Sequence, residues 1–217
     1  MDGNGKTISN LYINLKTASN VGLFGYANSL TIKDLTITNA NVTGKDYVGT
    51  VVGQVKSLNA SNINLLACFI TSTTSNSYSG GFVGQIVPKS TIGNVNHIYV
   101  DVNVSGVNYL GGFAGRIATD NATMFSLSNL EIHGEISGTT RVGGVIGRLY
   151  GIVDDPINVV EGVGFYINNI VSYIVLKNGG GSATNNGGLF GEVRDSDIYE
   201  ITNAVVYSSI SELAVSR

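Results

Sequence analysis

Few residues in this chain have the chemistry of acids, bases or nucleophiles. The main candidates for paired carboxylates are Asp154 and Asp155, with Glu161 nearby. Two carboxyl groups facing one glycosidic bond would suit glycoside hydrolysis. Adjacent strand residues point to opposite faces, however, and Pro156 follows directly, so the pair reads as part of a loop. Aligned against the repeats described below, no acidic column builds up around it. His97 and His133 lie in separate strand-like stretches, with no Cys/His spacing that would hold a metal. No phosphate-cradling G-x-x-x-x-G-K-[ST] loop occurs, and no histidine falls in a nucleophile motif. The one cysteine, Cys68, sits in the apolar run Leu65-Leu66-Ala67-Cys68-Phe69-Ile70 and reads as a small buried hydrophobe. The residues call for no catalytic group, metal or cofactor.

What must position any site is set by composition. Of 217 residues only 12% are charged, about half the usual quarter. The chain carries 29 Gly but 2 Pro and no Trp. With 43% apolar residues and a net charge of −3, intrinsic disorder is excluded. Twelve Lys+Arg against 15 Asp+Glu leave no cationic excess for nucleic acid. Collagen is excluded by the lack of a glycine at every third position. No apolar stretch is long enough for a membrane span, and the start, Met1-Asp2-Gly3-Asn4-Gly5-Lys6, has no signal-peptide core. This polar opening is expected of a piece of a longer protein.

One pattern recurs six times: small or apolar residues, then two apolar residues and a closing glycine. The copies are 21–25, 49–53, 80–84, 111–115, 143–147 and 187–191, as in Gly80-Gly81-Phe82-Val83-Gly84. Their closing glycines stand 28, 31, 31, 32 and 44 residues apart. The first copy has Val21 where a first Gly is expected, and the second has Thr50 at the second. A second pattern, apolar–x–polar–apolar, lies between them with its polar residue at Asn10, Asp34, Asn62, Asn94, Asn129, Asn169 and Glu200. Period-2 alternation follows, as in Val100-Asp101-Val102-Asn103-Val104, which is strand patterning.

A unit of about 30 residues with two or three short strands must bury its apolar face on its neighbours. Propeller blades need about 40–45 residues. The expectation is therefore an all-β fold, a parallel β-solenoid of about six to seven coils. At about 4.8 Å per coil it makes a rod on the order of 30 Å long. Residues 1–217 form one such domain. Stacking every residue on its counterpart explains the composition: like charges would repel in each coil, while Asn, Ser and Thr can hydrogen-bond. The polar column reads as an internal ladder, and the paired glycines as sites of positive φ or close backbone approach.

The Gly-Gly-apolar-apolar-Gly copies, with the opening Asp2-Gly3-Asn4-Gly5-Lys6-Thr7-Ile8, resemble the GLUG motif family over roughly residues 1–210. The segment 148–185 departs most, through its length. The resemblance implies repeat regions of large bacterial surface or secreted proteins, adhesins and the non-catalytic part of some immunoglobulin A peptidases among them. It implies an extracellular or cell-surface location and a right-handed coil, and carries no catalytic residue.

Two columns stand out for binding. Six positions before each closing glycine come Ser19, Tyr47, Tyr78, Tyr109, Arg141 and Asn185. Directly after it come Tyr26, Gln54, Gln85, Arg116, Arg148 and Glu192. An aromatic strip continued by arginines could hold an extended glycan or peptide. The long interval holding Asp154 and Asp155 is the third candidate surface. The reading is a non-catalytic extracellular binding module, an adhesin or fibre-tip segment recognising a cell-surface glycan or protein. The alternatives are a structural spacer and a polysaccharide-degrading β-helix of a phage tail. An open solenoid end is also an unpaired edge through which copies can associate.

Overall fold

The structure, a computed structural model, describes residues 1–87, 92–120, 124–152, 164–180, 184–194 and 198–211. Among these there is no helix, and every strand pair is parallel. The strand Val52–Ser72, 21 residues long, follows most of one coil. Its start pairs with Val83–Ile86, with Val52 opposite Val83 and Gln54 opposite Gln85. Its middle pairs with Phe24–Thr38 on one side and Ile92–Ser105 on the other. Its end pairs with Asn41–Gly44, Phe69 lying opposite Asn41. The longest face stacks Asp2–Ser9, Phe24–Thr38, Val52–Ser72, Ile92–Ser105, Met124–Gly138, Gly164–Asn178 and Ile198–Val206 in chain order. A second sheet stacks Val48–Gly49, Ser79–Gly80, Asn108–Gly111, Thr140–Gly143 and Thr184–Gly187. This is the expected parallel β-solenoid.

The interior is a set of apolar columns. Val51, Phe82, Phe113 and Val145 follow one another in successive coils, all fully buried. The rings of Phe82 and Phe113 stack at 5.2 Å and those of Phe125 and Phe165 at 5.5 Å. Each fully buried Val, Leu, Ile or Phe contributes about 1.5–3 kcal/mol. Every coil therefore depends on the neighbours that cover it.

The glycines of the repeat serve close approach. None of the repeat's glycines is among those with positive φ, which are Gly5, Gly134, Gly164 and Gly180. A Cβ at the closing Gly147 would lie 2.6 Å from the Tyr109 carbonyl carbon and the Leu110 nitrogen. At Gly84 it would lie 2.5 Å from the Tyr47 carbonyl carbon. The strand leaving each motif after the first thus crosses the backbone one coil earlier, beside the start of the short strand. At Gly49, a Cβ would sit 2.6 Å from the Val52 oxygen, so the first glycine makes the corner itself. Register also corrects the first copy: Val21 pairs with Val48, so Gly22 takes the first-glycine place and this copy is one residue short.

The polar column proves to be an external corner. Asp34, Asn62, His97, Asn129, Asn169 and Asn203 occupy it in register, all with φ between 51° and 55°. Left-handed backbone suits Asn, Asp and, less often, His. His97 replaces the expected Asn94, and Asn203 replaces Glu200. Both stretches carry a second apolar–x–polar–apolar match three residues on, Val95-Asn96-His97-Ile98 and Ile201-Thr202-Asn203-Ala204. Asn10 belongs to another left-handed corner, beside Asn39. Asn62 Nδ2 donates to Asp34 Oδ1 at 2.9 Å, and Asn169 Nδ2 donates to Asn129 Oδ1 at 2.5 Å. At His97 the ladder breaks, and Asn129 donates instead to Asn96 Oδ1 at 2.7 Å.

Two variants test this account by thermal unfolding. Gly147→Ala should destabilise the chain by about 2–3 kcal/mol, because backbone atoms would have to move. His97→Asn should stabilise it by roughly 0.5 kcal/mol or more, by restoring the corner residue.

Candidate ligand-binding surface

The two expected columns converge on one surface. Val48, Ser79, Leu110, Val142 and Asn186 are register partners, so Tyr47, Tyr78, Tyr109, Arg141 and Asn185 precede them as a column. Asn20, not Ser19, begins it, because the first copy is one residue short. The second column is confirmed in full, with Tyr26, Gln54, Gln85, Arg116, Arg148 and Glu192 opposite one another in turn.

The tyrosine column departs from what its backbone favours. Asn20, Tyr47, Tyr109, Arg141 and Asn185 all have φ between 53° and 59°. Asn is the residue suited to that conformation, and it stands at both ends. In the middle, bulky Tyr and Arg accept a cost of about 1–2 kcal/mol each. Stacking offsets it. Tyr47 and Tyr78 stack at 5.8 Å with rings 10° apart, and Tyr78 meets Tyr109 at 4.5 Å.

Arginines from the second column cover these rings. Arg116 lies over Tyr78 at 5.2 Å, and Arg148 over Tyr109 at 5.5 Å. Each arginine thus reaches the tyrosine one coil earlier, following the crossing that the closing glycines permit. Arg141 also lies over Tyr109, at 5.0 Å. Each such contact is worth about 0.5–2 kcal/mol. Tyr150 joins from a third column, with Arg148 at 4.6 Å and Arg116 at 5.2 Å. Glu192 Oε2 accepts a hydrogen bond from Arg141 Nε at 2.9 Å and forms an ion pair with Arg148 Nε at 2.7 Å. The Glu192 bond holds the Arg141 pKa above its ordinary value, against an opposing effect of burial.

Tyr150 is missed by sequence reasoning because its register partners Ala118 and Arg194 are not aromatic. A second ring ladder is missed too. His133 stacks on Tyr173 at 4.6 Å and Tyr173 on Tyr207 at 5.1 Å, while Tyr99 meets His133 at 5.4 Å. Glu131 Oε1 lies 2.7 Å from His133 Nε2. Counted from the closing glycines these rings share no spacing. Counted from the corner, His133, Tyr173 and Tyr207 each stand four residues after its asparagine. Asp154 and Asp155 lie outside the described residues. Among the described residues no three His, Cys, Asp or Glu groups gather as metal ligands.

Cys68 is fully buried, and burial pushes its thiol pKa up. Its thiol faces the Ile37 and Leu66 carbonyls at 3.8 and 3.6 Å. A thiol reagent at pH 8 should leave the folded protein unlabelled and modify it fully in denaturant. Rapid labelling of the native chain would contradict this environment.

No protein-family model matches the chain, and no solved structure does. A segment of 91 residues, 40% of the chain, is 40% identical to part of halomucin from Haloquadratum walsbyi (strain DSM 16790 / HBSQ001). That match spans 1% of halomucin, so the similarity is to a small segment of a far longer protein.

Proposed function

We propose that this chain is a non-catalytic segment of an extracellular or cell-surface protein, and that its tyrosine–arginine surface binds a glycan or protein. The observation that carries this reading is the residue choice at the left-handed corner. Tyr47, Tyr109 and Arg141 hold positions where asparagine would be easier to accommodate. A stability role alone would be met by the amide ladder used at the other corner. Local strain of this kind, held in place by a rigid scaffold, is characteristic of binding sites. The resemblance of the repeats to GLUG motifs points to the same cellular setting. A spacer role is the second reading, favoured by the similarity to a short stretch of a chain about a hundred times longer than the matched segment.

The test is binding of the labelled chain to a panel of intact cells and immobilised glycans. Wild type should be retained on at least one surface. Tyr78→Ala/Tyr109→Ala, checked for folding by circular dichroism, should lose at least about fivefold in binding, since each buried stacking contact is worth about 1 kcal/mol. Equal binding by the double variant removes the strip from consideration. No binding by wild type at high concentration leaves the spacer reading.

A further inference from the structure

A parallel solenoid penalises like charges in register, because they stand about 4.8 Å apart along the stack. Among the described strand pairs one breaks this rule: Arg116 lies directly opposite Arg148. Other charges face neutral or opposite partners, as Asp2 faces Lys33 and Arg148 faces Glu192 on its far side. Among the described residues, one carboxylate pairs with this group of arginines. Glu192 alone serves both Arg141 and Arg148, and Arg116 forms no ion pair among the described residues. Its Nε is buried without a hydrogen-bond acceptor. Among the described residues, Arg141 and Arg148 therefore share one carboxylate and Arg116 pairs with none, on a protein whose net charge is −3. The same column holds Gln54 and Gln85 in earlier coils, so a neutral residue fits the position.

We infer that Arg116 and Arg148 form an anion-binding site that takes oxyanion groups, carboxylate or sulfate, of an acidic polysaccharide. The inference rests on the binding reading above and gives it a ligand class. The guanidinium carbons of Arg116 and Arg148 stand over the rings of Tyr78, Tyr109 and Tyr150, 4.6–5.5 Å from the centroids. A guanidinium held beside aromatic rings can still offer N–H groups to an oxyanion in paired hydrogen bonds. A bound oxyanion would supply Arg116 with the counter-charge that it lacks among the described residues and offset the repulsion between the two cations. Successive coils carry the two arginines one coil rise apart, which suits a polymer better than an isolated ion.

The experiment measures affinity for three polymers at low and moderate salt: dextran sulfate, polygalacturonate and neutral dextran. The intact chain is compared with Arg116→Gln and Arg116→Lys. One or both polyanions should bind, more weakly as salt rises, and neutral dextran should not. Arg116→Gln should weaken polyanion binding roughly tenfold or more, and Arg116→Lys by less, since lysine keeps charge but loses the fork. The sulfate and carboxylate arms then say which oxyanion is taken. Equal binding of neutral dextran, or unchanged polyanion affinity in folded Arg116→Gln, overturns the inference. If tyrosine-dependent cell or glycan binding persists without polyanion binding, the anion site falls and the binding reading stands. If neither occurs, both fall.

Discussion

The constraint on which everything else depends is register. In a parallel solenoid each residue lies over its counterpart one coil away, at about 4.8 Å, so each outward or inward column is a stack of equivalents. Aliphatic and phenylalanine columns bury one another, as Val51, Phe82, Phe113 and Val145 do. Asparagines bond to asparagines. Glycine is needed where one coil's backbone crosses another's, beneath Gly84 and Gly147. Charge is scarce because repetition multiplies its cost, and 12% charged residues is the result.

The tyrosine–arginine surface departs from this economy twice. Bulky side chains occupy left-handed backbone at Tyr47, Tyr109 and Arg141, and two arginines face each other across the coils. The departures lie on adjacent columns and support each other physically. The tyrosine rings give the guanidinium groups a favourable surface, and the guanidinium groups cover the rings. Where local rules are broken together and locally compensated, a site is the natural reading. The scaffold keeps it rigid, because each column is anchored by strands whose other face is core.

Much of this was legible in the residues alone. The fold was legible because six closing glycines recur 28 to 44 residues apart with strand alternation between them. The Gln54–Gln85–Arg116–Arg148 column was legible because it directly follows those glycines, before any loop can alter the count. The corner was less legible. Its signature tolerates Asn, Asp or His, and near Asn94 and Glu200 the same four-residue pattern occurs twice, so the pattern alone does not single out His97 and Asn203. Tyr150 and the His133–Tyr173–Tyr207 ladder were invisible for a related reason. Intervals between motifs vary from coil to coil, and only three-dimensional register brings these rings together.

The register itself can be measured directly. Asn41, Phe69, Asn103 and Glu135 follow one another on one face of successive coils. Nitroxide labels placed in pairs on the first three of these, with Cys68→Ala removing the native thiol, report their separation by electron paramagnetic resonance. The account predicts strong dipolar broadening for positions 41 and 69, whose backbones lie about 5 Å apart, and weaker broadening for 41 and 103, about 10 Å apart. Equal spectra for the two pairs, or no broadening at 41 and 69, would contradict in-register stacking and with it the site built upon it.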